Sequence, residues 1–253
     1  MSTALIEILD ISLEYSGKNV LDRINLAVRA GELVSILGPS GSGKSTLLRI
    51  VAGLLKPTSG QMRIKGEIVS GPRPDVALAF QDACLLPWLN VEQNVGFGLG
   101  FARQEKLPRA IRRERVIAAL NEVSLLQTGR YMPSQLSGGM AQRAALARCL
   151  AREPGTLLLD EPFGALDEVT RADMQKLLVK VVRDTGAATV IVTHDIDEAL
   201  LVSDRVILLG TSGTLIEQWV LDIPEPRDAH IEALGRLRIE ILQALQTSMA
   251  HAA

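Results

Sequence analysis

The sequence predicts an α/β fold: a mostly parallel core sheet of the P-loop kind, an antiparallel sheet at its N-terminal end, and a helical subdomain inserted in the core. Three observations carry this. An apolar run, Leu33 to Leu37, breaks at Gly38 into GPSGSGKST, and a helical pattern begins just past Lys44. Two alternating runs, Ile6 to Tyr15 and Val20 to Val28, precede it and read as antiparallel strands. A predominantly helical stretch from Asn90 to about Ala151 lies between two short strand-like runs, Val76–Phe80 and Thr156–Asp160. Residues 1–253 are expected to form one domain, with the helical subdomain at about 90–152 and a C-terminal amphipathic helix at about 229–246.

Composition sets the bounds. Hydrophobic residues are 47% and charged ones 22%, a globular balance. A net charge of -2 leaves no electrostatic footprint for nucleic acid. Cys84 and Cys149 stand far apart in no metal-like spacing and read as reduced thiols. The opening MSTALIEILD lacks a basic stretch followed by a long apolar one, and no run of about 18 apolar residues occurs, so the chain is expected neither to be exported nor to span a membrane. Service to a membrane process would be as a peripheral subunit.

In chain order, the turn Ser16-Gly17-Lys18-Asn19 separates the first two strands. Tyr15 ends the first; alone it reads as a half-buried strand tyrosine, although its flat ring could also stack on a purine. The stretch Gly38, Pro39, Ser40, Gly41, Ser42, Gly43, Lys44, Ser45, Thr46 is a candidate phosphate cradle. Its glycines allow backbone N–H groups to converge on phosphate oxygens, the following helix adds its positive end, Lys44 reaches the β/γ oxygens, and the Ser45 hydroxyl is placed to ligate Mg²⁺. A helix over Lys44–Leu55 ends in the breakers Lys56 to Gly60, and short strands follow at Gln61–Lys65 and Val76–Phe80. Gln81, at the end of the second, offers an amide for Mg²⁺ or a water, but by itself is a polar loop residue. Pro108 opens a helix with Arg109, Arg112, Arg113 and Arg115 on a solvated side and Ile111, Ile117, Leu120 and Val123 on the packed one.

Leu136-Ser137-Gly138-Gly139-Met140-Ala141-Gln142 then opens a helix over Ala141–Arg152, a second N-terminus fit for an anion. LSGGMAQ resembles the signature motif of ATP-binding cassette (ABC) ATPases. The pattern continues in order. Thr156–Asp160 with Glu161 reads as a buried strand ending in two carboxylates, Asp160 for the Mg²⁺ shell and Glu161 as general base toward water. Pro162 to Asp167 resembles the family's D-loop. The run Ala188–Thr193 ends in His194, which resembles the switch histidine.

The resemblance spans about Leu5 to Leu221 and implies several things. Tyr15 becomes the adenine-stacking residue and Gln81 the Q-loop glutamine. Ser137, Gly138 and Gly139 of one copy complete the site around Lys44 of a second copy, with Asp167 at the interface, so that ATP and Mg²⁺ join a homodimer. The segment QDACLLPWLNVEQNVGFGL is similar to the ATPase subunits of nitrate/sulfonate/taurine importers. It implies an integral membrane permease as partner, docked on exposed Leu85, Leu86, Pro87 and Trp88, and indirectly an extracytoplasmic solute-binding protein; the alternative for Trp88 is a place in its own core. The runner-up function is a soluble ABC ATPase acting on a non-membrane partner. A small-molecule kinase would leave LSGGMAQ and His194 without a task. After strands at Arg205–Leu209 and Thr214–Val220, the helix with Ile231, Leu234, Leu237, Ile241 and Leu245 on one face is expected to cover the chain's own surface.

Overall fold

A computed structural model describes residues 4–15 and 17–250 as two sheets with helices packed around them. At the N-terminal end, β1 (Ala4–Tyr15) pairs antiparallel with β2 (Lys18–Arg29), Ile6 opposite Val28 and Leu13 opposite Leu21; alternation is reset by register shifts around Asp10 (φ 51) and Arg23 (φ 47), so that Ile6, Ile8, Ile11 and Leu13 share one core with Leu21, Ile24, Leu26 and Val28. Lys18 already pairs with Tyr15, so the connection is tighter than the predicted turn over 16–19; Gly17, at φ 76, permits this, and Ser16 lies outside the described residues. On the other side of β1 lies β4 (Ser59–Ile64), which begins inside the predicted breaker cluster, and beyond it the two-residue β5 (Glu67–Ile68), which the sequence reading passes over.

The second sheet runs β10 (Leu215–Val220), β9 (Arg205–Leu209), β3 (Leu33–Leu37), β8 (Ala188–Val192), β7 (Thr156–Asp160), β6 (Val76–Ala79), parallel throughout except for β10. Every residue of β3 and β8 is buried, as a strand covered on both faces requires. One face meets the antiparallel sheet through a core that includes Ile6, Ile8, Val34, Ile36 and Leu48 of α1 (Lys44–Val51). That helix stops before the predicted Leu55. Gly53 sits at φ 70, and a Cβ there would lie 2.3 Å from the Gly71 carbonyl oxygen, so the close approach and the left-handed residue end the helix ahead of Pro57.

The other face of the sheet carries α2 (Val91–Gly96), α3 (Arg109–Glu122) and α4 (Gly138–Leu150) of the helical insertion, and α5 (Glu168–Thr185), around a core centred on fully buried Phe163. In α3 the packed stripe is Val116, Ala119 and Leu120, continued by Val123; Ile111 and Ile117, expected on that side, are 39% and 40% exposed. α4 starts at Gly138, ahead of the predicted Ala141, because the Ser137 hydroxyl caps it by accepting from the Met140 N–H. Neither α5 nor α6 (Ile196–Val202) is anticipated by the sequence reading. α7 (Ile231–Ala250) buries Ile241 and packs Leu234, Leu237 and Leu245 over β9 and α6, while Arg238 Nε donates to Asp197 at 2.8 Å. Ile231 is 77% exposed and does not share in that face.

Candidate nucleotide site

In an open parallel sheet, side chains converge beyond the carboxyl ends of the strands. Here β3 delivers residues 38–43, β8 delivers His194, β7 delivers Asp160 and Glu161, and β6 delivers Gln81, in adjacent order along the sheet.

The cradle between β3 and α1 is shaped by close backbone approach. Gly43 stands at φ 96, where a Cβ would meet the Val20 carbonyl oxygen at 2.7 Å; at Gly38 a Cβ would lie 2.3 Å from the Leu209 carbonyl oxygen. Ser40 and Gly41 are exposed at the tip, with Pro39 and Thr46 half-buried beside it. Lys44 Nζ donates to the carbonyl oxygens of Gly38 and Pro39, 2.8 Å each. Burial lowers the Lys44 pKa from its ordinary value, opposed by the nearby Glu161 and Asp160 charges. Ser42 Oγ is buried with no hydrogen-bond partner among the described residues, an orphaned donor facing into the same loop. A buried ammonium, an orphaned hydroxyl and left-handed glycines before a helix N-terminus suit a bound phosphate chain.

Beside the cradle, Ser45 Oγ donates to Asp160 Oδ1 at 2.9 Å. Burial pushes the Asp160 carboxyl up; the Ser45 hydrogen bond pulls it down and the neighbouring Glu161 charge adds to the rise. Glu161 leaves β7 at φ 46 and its carboxylate is bracketed: Gln81 Nε2 donates to Oε2 at 3.2 Å, and His194 Nδ1 lies 3.3 Å from Oε1. Among the described residues no group of three or more His, Cys, Asp or Glu could hold a metal ion. The hydroxyl and carboxylate of Ser45 and Asp160 fit Mg²⁺, which takes few protein ligands and fills its shell with phosphate and water oxygens.

The structure does not bring the second helix start to this cradle: among the described residues no hydrogen bond joins residues 137–139 to residues 38–46. Gly139 instead abuts the start of α5, where a Cβ on it would lie 2.3 Å from Thr170 Cγ2, and a Cβ on Gly138 would lie 3.9 Å from the Ala165 carbonyl oxygen. Asp167 caps α5, accepting from the Thr170 N–H at 3.0 Å and the Thr170 hydroxyl at 2.7 Å, which hold its carboxyl below the usual carboxylate range. Tyr15 is 74% exposed at the end of β1, which corrects its reading as a half-buried strand residue.

Sequence reasoning missed the clasp on the loop after Gln81. Buried Gln142 donates to the Gln81 carbonyl oxygen, and Arg148 donates to those of Ala83 and Cys84 at 2.7 and 2.8 Å. Leu85 is partly buried against the helical core, and Leu86 is also half-buried, so the exposed patch is smaller than predicted. Trp88, 69% exposed, does not fold into the core.

A family model described as ABC transporter matches residues 21–164. The chain is similar to the aliphatic sulfonates import ATP-binding protein SsuB 2 of Burkholderia lata, 45% identical over 92% of this chain and 83% of that protein. It is 47% identical to the taurine import ATP-binding protein TauB of Chromobacterium violaceum over 79% of this chain and 76% of that protein. Among solved structures it resembles a dimeric post-hydrolysis state of the ATP-binding cassette MJ0796 bound to ADP and Pi, with 34% identity, a TM-score of 0.76, and coverage of 85% of this chain and 98% of that one.

Proposed function

The chain belongs to the ABC transporter family of ATP-binding proteins, and on that footing we propose that it hydrolyses ATP to drive uptake of a small anion, of the nitrate, sulfonate or taurine kind, through a partner permease. The observation that carries the reading is the convergence of Lys44, Ser45, Asp160, Glu161, Gln81 and His194 at the ends of four adjacent parallel strands.

The roles follow from the groups. Tyr15 offers a free ring face to the adenine. Backbone N–H groups of residues 40–46 and the Lys44 ammonium bind the phosphates. Ser45, Asp160 and Gln81 would hold Mg²⁺, which when bound neutralises charge on the β/γ oxygens. Gln81 gives its amide N–H to Glu161, so its carbonyl oxygen is the group left to accept or ligate. Glu161 takes a proton from the attacking water as general base, and His194, at its other carboxylate oxygen, orients that carboxylate and contacts the γ-phosphate. Ser137, Gly138 and Gly139 complete the site of a second copy in a homodimer, with Asp167 at the junction, in line with the dimeric cassette that this chain resembles.

Docking on the permease fits a groove of about 520 Å³ whose walls include Leu54, Leu78, Phe80 and Phe101, with exposed Trp88 on the loop after Gln81. As in the import ATP-binding proteins it resembles, the chain would sit at the cytoplasmic face on that partner, while an extracytoplasmic solute-binding protein selects the anion; no helix of the described residues is long and apolar enough to cross a membrane.

The test is Glu161→Gln. The variant should bind ATP, fail to turn it over, and elute as a dimer with ATP but not without. Normal turnover would remove Glu161 from the base role. A pull-down from detergent-solubilised membranes should bring a multi-span permease; soluble factors alone would transfer the chemistry to a non-membrane task.

A further inference from the structure

We propose that Glu198 and Arg171 are positioning residues, a strut of one buried and one half-buried side chain between the loop that carries Asp167 and the loop that carries His194, which sets the imidazole against Glu161. The inference rests on the role given to His194 above.

Glu198, on the first turn of α6, is 6% exposed. Its Oε2 accepts the Thr193 hydroxyl at 2.8 Å, and Thr193 Oγ1 in turn accepts the Asp195 N–H at 3.1 Å, so both residues flanking His194 in the chain are tied to it. Asp195 closes the turn by accepting from the Asp197 and Glu198 N–H groups at 2.8 and 3.1 Å. On its other side, Glu198 Oε1 faces Arg171 Nε at 3.6 Å, and Arg171 Nη2 donates to the Leu166 carbonyl oxygen at 3.0 Å, immediately before Asp167. His194 itself is 64% exposed, and among the described residues the polar contact of its ring is with Glu161, so the direction of the ring depends on the short loop that carries it. A buried carboxylate is retained only where its partners are well placed. These partners are two loops that must both be in register for the site to work. Leu166 and the His194 loop are thereby linked through one guanidinium, one carboxylate and one hydroxyl.

The experiment is steady-state ATPase kinetics of the full chain with Mg²⁺ and ATP, comparing Glu198→Gln, His194→Ala and the double variant, alongside imidazole ¹H–¹⁵N spectra, in which three histidines give resolvable signals. Glu198→Gln keeps the shape and should lower kcat about tenfold, the lower end of the range for groups that orient metal-ligating histidines, since Glu198 acts on His194 through Thr193. KM for ATP should stay within about twofold, and in the His194→Ala background the further loss should also be within about twofold, because the strut then has nothing to position. The His194 ring signals should move in Glu198→Gln. An equal tenfold loss in both backgrounds, or unchanged kcat and ring signals, overturns the proposal. Should Glu198→Gln not fold, Arg171→Lys, which keeps the charge but loses the fork to Leu166, is held to the same outcomes. If the wild-type chain showed no ATPase activity, the functional reading would fall, while the ring signals would still decide whether the strut orients His194.

Discussion

Gly139 is where packing makes the sharpest forecast. It is the second helical residue of α4, and a Cβ added there would stand 2.3 Å from Thr170 Cγ2, a methyl whose side chain is held by its hydroxyl's 2.7 Å bond to Asp167. Carbon atoms settle at about 3.5–4.0 Å, so more than an ångström must be found by moving one helix start against another. Overpacking of this kind costs about 1–3 kcal/mol, against which alanine regains about 1 kcal/mol of helix propensity over glycine. Gly139→Ala should therefore destabilise the nucleotide-free chain by up to about 2 kcal/mol. Thr170→Ser removes the offending methyl and keeps the hydroxyl on Asp167. In that background Gly139→Ala should change sign and stabilise by up to about 1 kcal/mol. Urea unfolding of the four proteins, read as midpoints at constant slope, measures the coupling. An equal cost of Gly139→Ala with threonine or serine at 170 would mean that close approach to α5 is not why glycine stands there.

Two further outcomes are expected. Burial pushes the Asp75 carboxyl up, but hydrogen bonds from Arg73 and Lys65 outweigh it and its pKa ends below the ordinary value; a depressed folded pKa gives stability that is present above the unfolded value of about 3.9 and lost as pH falls through the folded one. The stability gap between wild type and Asp75→Asn should be widest near neutrality and close below about pH 3.9, followed by thermal melts across that range. Trp88→Ala should leave the unfolding midpoint within about 0.5 kcal/mol, because the ring is 69% exposed, yet abolish co-purification of the permease; retained permease would move the docking surface elsewhere.

What could be read from the chain was local. The break from Leu33–Leu37 into glycines, the run into Asp160 and Glu161, and the run ending before His194 each state their element within a few residues, and the strands came out close to the expected bounds. α5 and α6 were legible in principle: Asp167 and Asp195 cap them, and Gly186 at φ 66 ends α5. The order of the strands was not legible, since β6 meets β7 across the whole helical insertion. Nor were the contacts of Gln142 and Arg148 with the backbone of residues 81–84, which join positions more than sixty apart; on a helix that is buried over most of its circumference, no stripe says which side faces the loop.

Asp160 and Glu161 also bear on what substitution can reach. Asp160 is still in β7, paired with Val192, while the Glu161 N–H donates to the carbonyl oxygen of that same Val192 at 2.8 Å after its backbone has turned left-handed. Two acids of like charge, side by side, are thus given different directions by one bend in the main chain. Exchanging them would keep composition, charge and spacing, yet put the longer arm beside Ser45 and the shorter one between Gln81 and His194. The pair is a word with a reading direction, and its reversal spells something else.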